Sequence, residues 1–167
     1  MEERLKLSFD ALEDALKRIG TYDPDNRFAP LAETLLWTDL IDTAFYNDDG
    51  DKYVVARKEK PGGILVRGLR YARNRLTHDV MVYGMHEMQY EGGDFNAKDF
   101  SHRDFNVGTP TWRWRIVDDL PTYTWDKEIQ DTYKDELEGK EVEPILNDAA
   151  NFLRLYRTGW VPTREEE

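Results

Sequence analysis

Cysteine is absent from this chain of 167 residues, which excludes disulfides, thiolate metal sites and a cysteine nucleophile. Long apolar runs are absent as well, since none approaches the roughly 18 residues needed to cross a bilayer. The N-terminal stretch MEERLKLSFDALEDAL lacks the basic start and the apolar centre of a signal peptide. We therefore expect a soluble, cytoplasmic protein without membrane association.

Motifs of several common enzyme classes are also missing. The pair Gly62-Gly63 is not followed by the Lys and Ser or Thr of a phosphate-binding loop, and His86-Glu87 lacks the second histidine of HExxH. The remaining histidines, His78 and His102, complete a spacing that matches no recurrent set of metal ligands. We predict neither a metal nor a cofactor.

Positive charge is scarce overall but concentrated in one segment. The formal net charge is −11, yet residues 57–75 carry seven Lys and Arg against the single carboxylate of Glu59. This segment is net +6, so the rest of the chain is about −17. A basic segment of this kind either pairs with acidic neighbours inside the fold or offers a surface to an anionic partner.

Apolar spacing predicts a mainly α fold of four or five helices in a single domain over residues 1–167. The first helix spans residues 2–19, with Leu5, Phe9, Leu12, Leu16 and Ile19 on one face. A second helix, about 30–46, has an apolar face wide enough to pack on more than one side. NDDGDK (47–52) is a predicted turn, and residues 60–63 are predicted to precede the basic helix that ends near His78. Two further helices are expected at about 126–137 and 144–156.

An irregular, partly β insertion is predicted at about 84–125, before the last helices. Within it, residues 111–117 alternate as a strand, with Trp112, Trp114 and Ile116 on one face and Arg113 and Arg115 on the other. The alternation favours tryptophans in a core or interface, and base stacking is the alternative. Four aromatic residues of the insertion are interpreted either as anchors to the bundle or as a partner-binding surface: Tyr90, Phe95, Phe100 and Phe105.

The basic helix carries the residues best suited to chemistry. Asn74 and His78 are four residues apart and face the same side of a helix, and the long side chain of Arg73 reaches toward that side. A guanidinium binds and stabilises a phosphate, an imidazole transfers protons near neutral pH, and an amide orients either group. Together they suffice for cleavage of RNA without a metal, through attack of the 2′-hydroxyl on the adjacent phosphate.

The stretch Arg73-Asn74-Arg75-Leu76-Thr77-His78 resembles the signature of the HEPN superfamily, an arginine followed after four to six residues by a histidine, often with asparagine directly after the arginine. The order of helices around it is similar as well. This resemblance implies a homodimeric endoribonuclease of toxin–antitoxin or other defence systems, with a composite site at the dimer interface. It implies Arg73 as the phosphate-stabilising group, His78 as the general acid/base and Asn74 as the orienting residue.

The resemblance also implies an assisting acidic residue on the second helix, for which Glu33, Asp39 and Asp42 are candidates. We predict that Arg67, Arg70 and Arg75 bind the substrate RNA, and that an antitoxin or another protein is a further partner. The alternative function is a non-catalytic interaction module that binds a protein through residues 84–125. An unrelated helical protein, in which Arg73 simply pairs with Asp39 or Asp42, is the third interpretation.

Overall fold

The computed structural model describes residues 2–20, 28–76, 83–85, 112–117 and 127–159, which form six helices and two short strands. The prediction of a mainly α helical bundle is confirmed. The helices are α1 (Glu2–Ile19), α2 (Phe28–Asp49), α3 (Asp51–Glu59), α4 (Pro61–Leu76), α5 (Lys127–Glu136) and α6 (Val142–Arg157), and the strands are β1 (Tyr83–Met85) and β2 (Trp112–Trp114). Within these ranges, no helix is both long and apolar enough to span a membrane.

The first two helices follow the predicted apolar spacing. In α1, Phe9, Leu12 and Ile19 are buried, and this face packs against α2. Helix α2 extends past its predicted bounds at both ends and buries residues on the sides that face α1 and α4. Its apolar face is only partly covered, since Leu36 and Leu40, one turn apart, are 46% and 44% exposed.

The region between α2 and the basic helix differs from the prediction. Of the turn expected at 47–52, only Gly50 lies outside the helices. Its positive φ of 52° separates the two helices in a conformation that glycine adopts without strain. A further helix, α3, begins at Asp51 and was not predicted. Residues 61–63 form the first turn of α4 instead of preceding it, because proline is favoured where a helix begins. The described residues thus contain more helices than the four or five predicted.

Helix α4 is the central element, in contact with α2, α3, α5 and α6. Two glycines at the start of α4 permit α6 and α3 to approach it closely. A Cβ on Gly62 would lie 2.8 Å from the carbonyl oxygen of Asp148 in α6. A Cβ on Gly63 would lie 2.5 Å from the carbonyl oxygen of Arg57 in α3. The glycines therefore fix the position from which the basic side chains of α4 extend.

The strands form a two-stranded antiparallel sheet in which Tyr83 pairs with Trp114 and Met85 with Trp112. Trp114 is 1% exposed and its ring meets that of Tyr133 edge-on at 6.2 Å, so its predicted place in the core is confirmed. The strand ends sooner than predicted, at Trp114. Ile116, expected on the same face as the tryptophans, is 48% exposed because the extended alternation stops before it.

Candidate functional site

Five charged side chains from three helices form one charge network: Asp39 and Asp42 from α2, Arg57 from α3, and Arg70 and Arg73 from α4. Residues three apart on a helix share a face, which places both carboxylates toward α4 and both α4 arginines toward α2. Both carboxylates are buried, whereas Arg70 is the most exposed member, with 44% of its side chain accessible. The network therefore extends from two buried carboxylates to a guanidinium at the protein surface.

Arg73, the arginine of the predicted motif, is held by Asp39. Its Nη2 donates a hydrogen bond to Asp39 Oδ2, and about 30% of the Arg73 side chain is exposed. The buried Nε of Arg73 has no hydrogen-bond partner. Because a guanidinium has five N–H donors in a rigid fork, one contact with Asp39 orients the group without using its other donors. The carboxylate of Asp39 therefore fixes the orientation of the Arg73 guanidinium.

Asp42 makes a different set of contacts, which satisfy both of its oxygens. Arg57 Nη1 lies 2.8 Å from Oδ1 and 2.8 Å from Oδ2, and the hydroxyl of Tyr53 donates to Oδ1 at 2.7 Å. Burial, reinforced by the negative charge of Asp42, raises the pKa of Tyr53 well above its ordinary value, so this hydroxyl stays protonated. Asp42 serves as the junction between α2 and α3.

These contacts separate the three candidates for the assisting acidic residue. Glu33 pairs with Arg18 of α1, and that hydrogen bond lowers the pKa of the Glu33 carboxyl. Asp42 is occupied by Arg57 and Tyr53. Asp39 contacts the motif arginine directly, and its second oxygen, Oδ1, is buried without a hydrogen-bond partner. Asp39 is therefore the best placed of the three to act on Arg73.

The arginines predicted to bind substrate occupy three different environments. Arg67 pairs with Glu128 of α5, and this hydrogen bond lowers the pKa of the Glu128 carboxyl. Arg75 is 3% exposed, with its guanidinium 6.0 Å from the centre of the Tyr71 ring, so a phosphate reaches it only if the side chain moves. Arg70 alone of the three combines wide exposure with a place beside Arg73. The alternative in which the basic segment pairs with acidic neighbours inside the fold is confirmed for Arg57, Arg67 and Arg73, and Arg70 lies within ion-pair distance of two carboxylates. The pair of Arg73 with Asp39 is the one expected in the third interpretation, an unrelated helical protein.

The remaining predicted residues are only partly covered by the structure. Asn74 is half-buried near the end of α4, beside Arg73. His78 lies outside the described residues, as do His86, His102 and the four aromatic residues of the insertion. In the part of the chain that is described, no group of three or more His, Asp or Glu side chains is arranged to hold a metal ion. The roles predicted for His78 and the insertion stay predictions.

Sequence reasoning missed Tyr53 and Arg57 as parts of this region. The two are four residues apart and so share a face of α3, from which both contact Asp42. The signal was available in that spacing, but it required recognising 51–59 as a helix. Arg57 appeared in the sequence only as the first cation of the basic segment.

Comparisons with protein-family models, with curated proteins and with solved structures find no match for this chain. The HEPN resemblance therefore depends on the motif residues and on the predicted order of helices.

Proposed function

We propose that this protein is a metal-independent endoribonuclease of the HEPN type, which cleaves RNA by attack of a 2′-hydroxyl on the adjacent phosphate. The observation that supports the proposal is the exposure of two neighbouring guanidinium groups on α4, since about 30% of the Arg73 side chain and 44% of the Arg70 side chain are accessible while Asp39 orients Arg73. A guanidinium fixed before substrate arrives stabilises the charge that develops on the phosphate more effectively than a mobile one.

In this proposal the residues have distinct roles. Arg73 stabilises the phosphate, His78 transfers the proton of the 2′-hydroxyl and then that of the leaving oxygen, and Asn74 orients one of them. Asp39 is a positioning residue, because it acts through Arg73. Such enzymes use two copies of the motif, and the exposed Leu36 and Leu40 of α2 supply an apolar surface that a second subunit would cover.

The test is cleavage of RNA by the purified protein in the presence of a chelator, with the ends of the products mapped. We expect products with 2′,3′-cyclic phosphates from the wild type and none from Arg73→Ala or His78→Ala. Arg115→Ala is the matched control, since Arg115 is exposed and lies outside α4. Cleavage by His78→Ala at the wild-type rate would contradict the assigned role of His78.

A second function is favoured by a separate observation, the internal pairing of basic residues on α4. Arg67 is bound by Glu128, Arg73 by Asp39, and Arg75 is buried, as expected if α4 only supports a fold that binds a protein partner through residues 84–125. In that case the wild type cleaves neither transfer, messenger nor ribosomal RNA. Arg73→Ala would then change stability without changing partner binding.

A further inference from the structure

The carboxylate of Asp39 lies between two guanidinium groups that contact it differently. Arg73 donates a hydrogen bond to Oδ2, whereas Nε of Arg70 is 3.6 Å from Oδ1, beyond hydrogen-bond distance. Oδ1 has no hydrogen-bond partner, and only 8% of the Asp39 side chain is exposed. A carboxylate so little exposed to water depends on a neighbouring cation for its stability.

Arg70 lies within ion-pair distance of Asp39 but makes no hydrogen bond to it. Nη1 of Arg70 also lies 3.9 Å from Oδ2 of Asp42, but the oxygens of Asp42 already accept hydrogen bonds from Arg57 and Tyr53. With 44% of its side chain exposed, Arg70 has room to move by the small distance that would make its contact with Oδ1 a hydrogen bond.

A phosphate that binds the other donors of Arg73 brings a second anion to this guanidinium while its hydrogen bond to Asp39 is kept. Asp39 then shares its cation with the phosphate, and a buried carboxylate whose charge is only partly compensated is destabilised. We propose that Arg70 is the reserve counter-ion of Asp39, which closes on Oδ1 when Arg73 engages a phosphate. The electrostatic half of this inference is that either guanidinium can neutralise Asp39, and it does not depend on function. The functional half is that Arg70 closes on Oδ1 when RNA binds, and it rests on the proposed ribonuclease function.

The electrostatic half is tested without any RNA, by the thermal midpoints of the wild type, Arg70→Ala, Arg73→Ala and the double variant. Since either guanidinium can neutralise Asp39, we expect each single variant to lose about 3 °C or less. The double variant leaves the carboxylate without either cation. It should lose at least about 5 °C more than the two single losses together.

Two controls assign this coupling to Asp39. Arg67 lies on the same helix but pairs with Glu128, so Arg67→Ala and Arg73→Ala should be additive within about 1 °C. With Asp39→Asn in the background, the coupling between Arg70→Ala and Arg73→Ala should disappear. If the double variant does not fold, folding of the triple variant with Asp39→Asn supports the proposal. The proposal would be overturned if the losses of Arg70→Ala and Arg73→Ala were additive while Asp39 is present. It would also be overturned if the triple variant failed to fold.

The functional half is tested by binding of a fully 2′-O-methylated RNA oligonucleotide, which cannot react because its 2′-oxygens are blocked. Arg70→Ala should weaken binding about tenfold, because Asp39 loses its second cation, and should leave the dependence of binding on salt concentration unchanged. A salt dependence reduced by about one unit would mean that Arg70 itself contacts phosphate, which refutes this half. If the wild type does not bind RNA, the ribonuclease proposal fails while the thermal cycle still decides the role of Arg70.

Discussion

The carboxylate of Asp42 joins α2 to α3 through three hydrogen bonds from two side chains, Tyr53 and Arg57. Asp42 is 2% exposed and the Arg57 side chain 12%, so the pair is largely shielded from water. Replacement of Asp42 by asparagine keeps the volume of the side chain and removes its charge. The guanidinium of Arg57 then stays in the fold without an anion, and the asparagine amide places a donor against it.

The loss of stability expected for Asp42→Asn follows from the burial of the Asp42–Arg57 pair. Breaking a buried ion pair by removing one partner costs about 3–5 kcal/mol. The lower end applies here, about 3 kcal/mol, because the amide oxygen of asparagine still accepts one hydrogen bond and Arg57 keeps its place 5.6 Å from the centre of the Tyr53 ring. For a chain of this length, that loss lowers the thermal midpoint by about 6–12 °C.

Urea unfolding followed by tryptophan fluorescence measures this loss, with the slope of the transition checked for constancy. Asp48→Asn is the matched control, since Asp48 is exposed on the same helix and should change the free energy of unfolding by no more than about 0.5 kcal/mol. Adding Arg57→Met to Asp42→Asn should recover at least half of the loss, because the unpaired charge is then gone. A loss below about 1 kcal/mol for Asp42→Asn would refute the assignment of Asp42 as a buried junction.

Two further predictions concern the approach of the helices and the dependence of stability on pH. Gly63→Ala should lower the free energy of unfolding by about 1–3 kcal/mol, because the added Cβ meets backbone atoms of Arg57. Gly68→Ala should cost less, because its nearest contact is a terminal methyl of Leu137 and the nearest backbone atom, Tyr133 Cα, is 3.5 Å away. Equal losses in urea unfolding would contradict this expectation. The Glu33 carboxyl has a lowered pKa in the folded state, so its contact with Arg18 stabilises above the ordinary value of 4.5 and is lost as the pH falls through the lowered value. Glu33→Gln should therefore reduce stability at pH 7 and reduce it progressively less as the pH falls below 4.5. A reduction that does not change with pH would show that charge is not the cause.

Much of the bundle was accessible from sequence because apolar spacing reports directly on which face of a helix is buried. Helix α1 and the extent of the last helix follow from that spacing alone. Helix α3 was missed because only Tyr53 of its residues is buried, which leaves no apolar stripe to detect. Its existence depends on tertiary contacts, the hydrogen bonds of Tyr53 and Arg57 to Asp42, and on the positive φ of Gly50.

The candidate site was predictable in its residue types but not in its pairing. The sequence points to Arg73 and to an acidic residue on α2, yet Glu33, Asp39 and Asp42 all fit that description. Their difference arises from which helix each one faces, and that depends on the packing of α1, α3 and α4 around α2. Likewise, Arg70 and Arg75 have the same chemistry in the sequence, and only the three-dimensional structure separates the exposed side chain from the buried one.

The charge balance of the network bears on which proposed function is correct. Its two carboxylates face three guanidinium groups, so one positive charge remains uncompensated within the network, in a chain whose net charge is −11. A phosphodiester carries one negative charge, and its arrival beside Arg73 would balance the network. In the ribonuclease proposal, the surplus cation is the charge that a bound phosphodiester would balance.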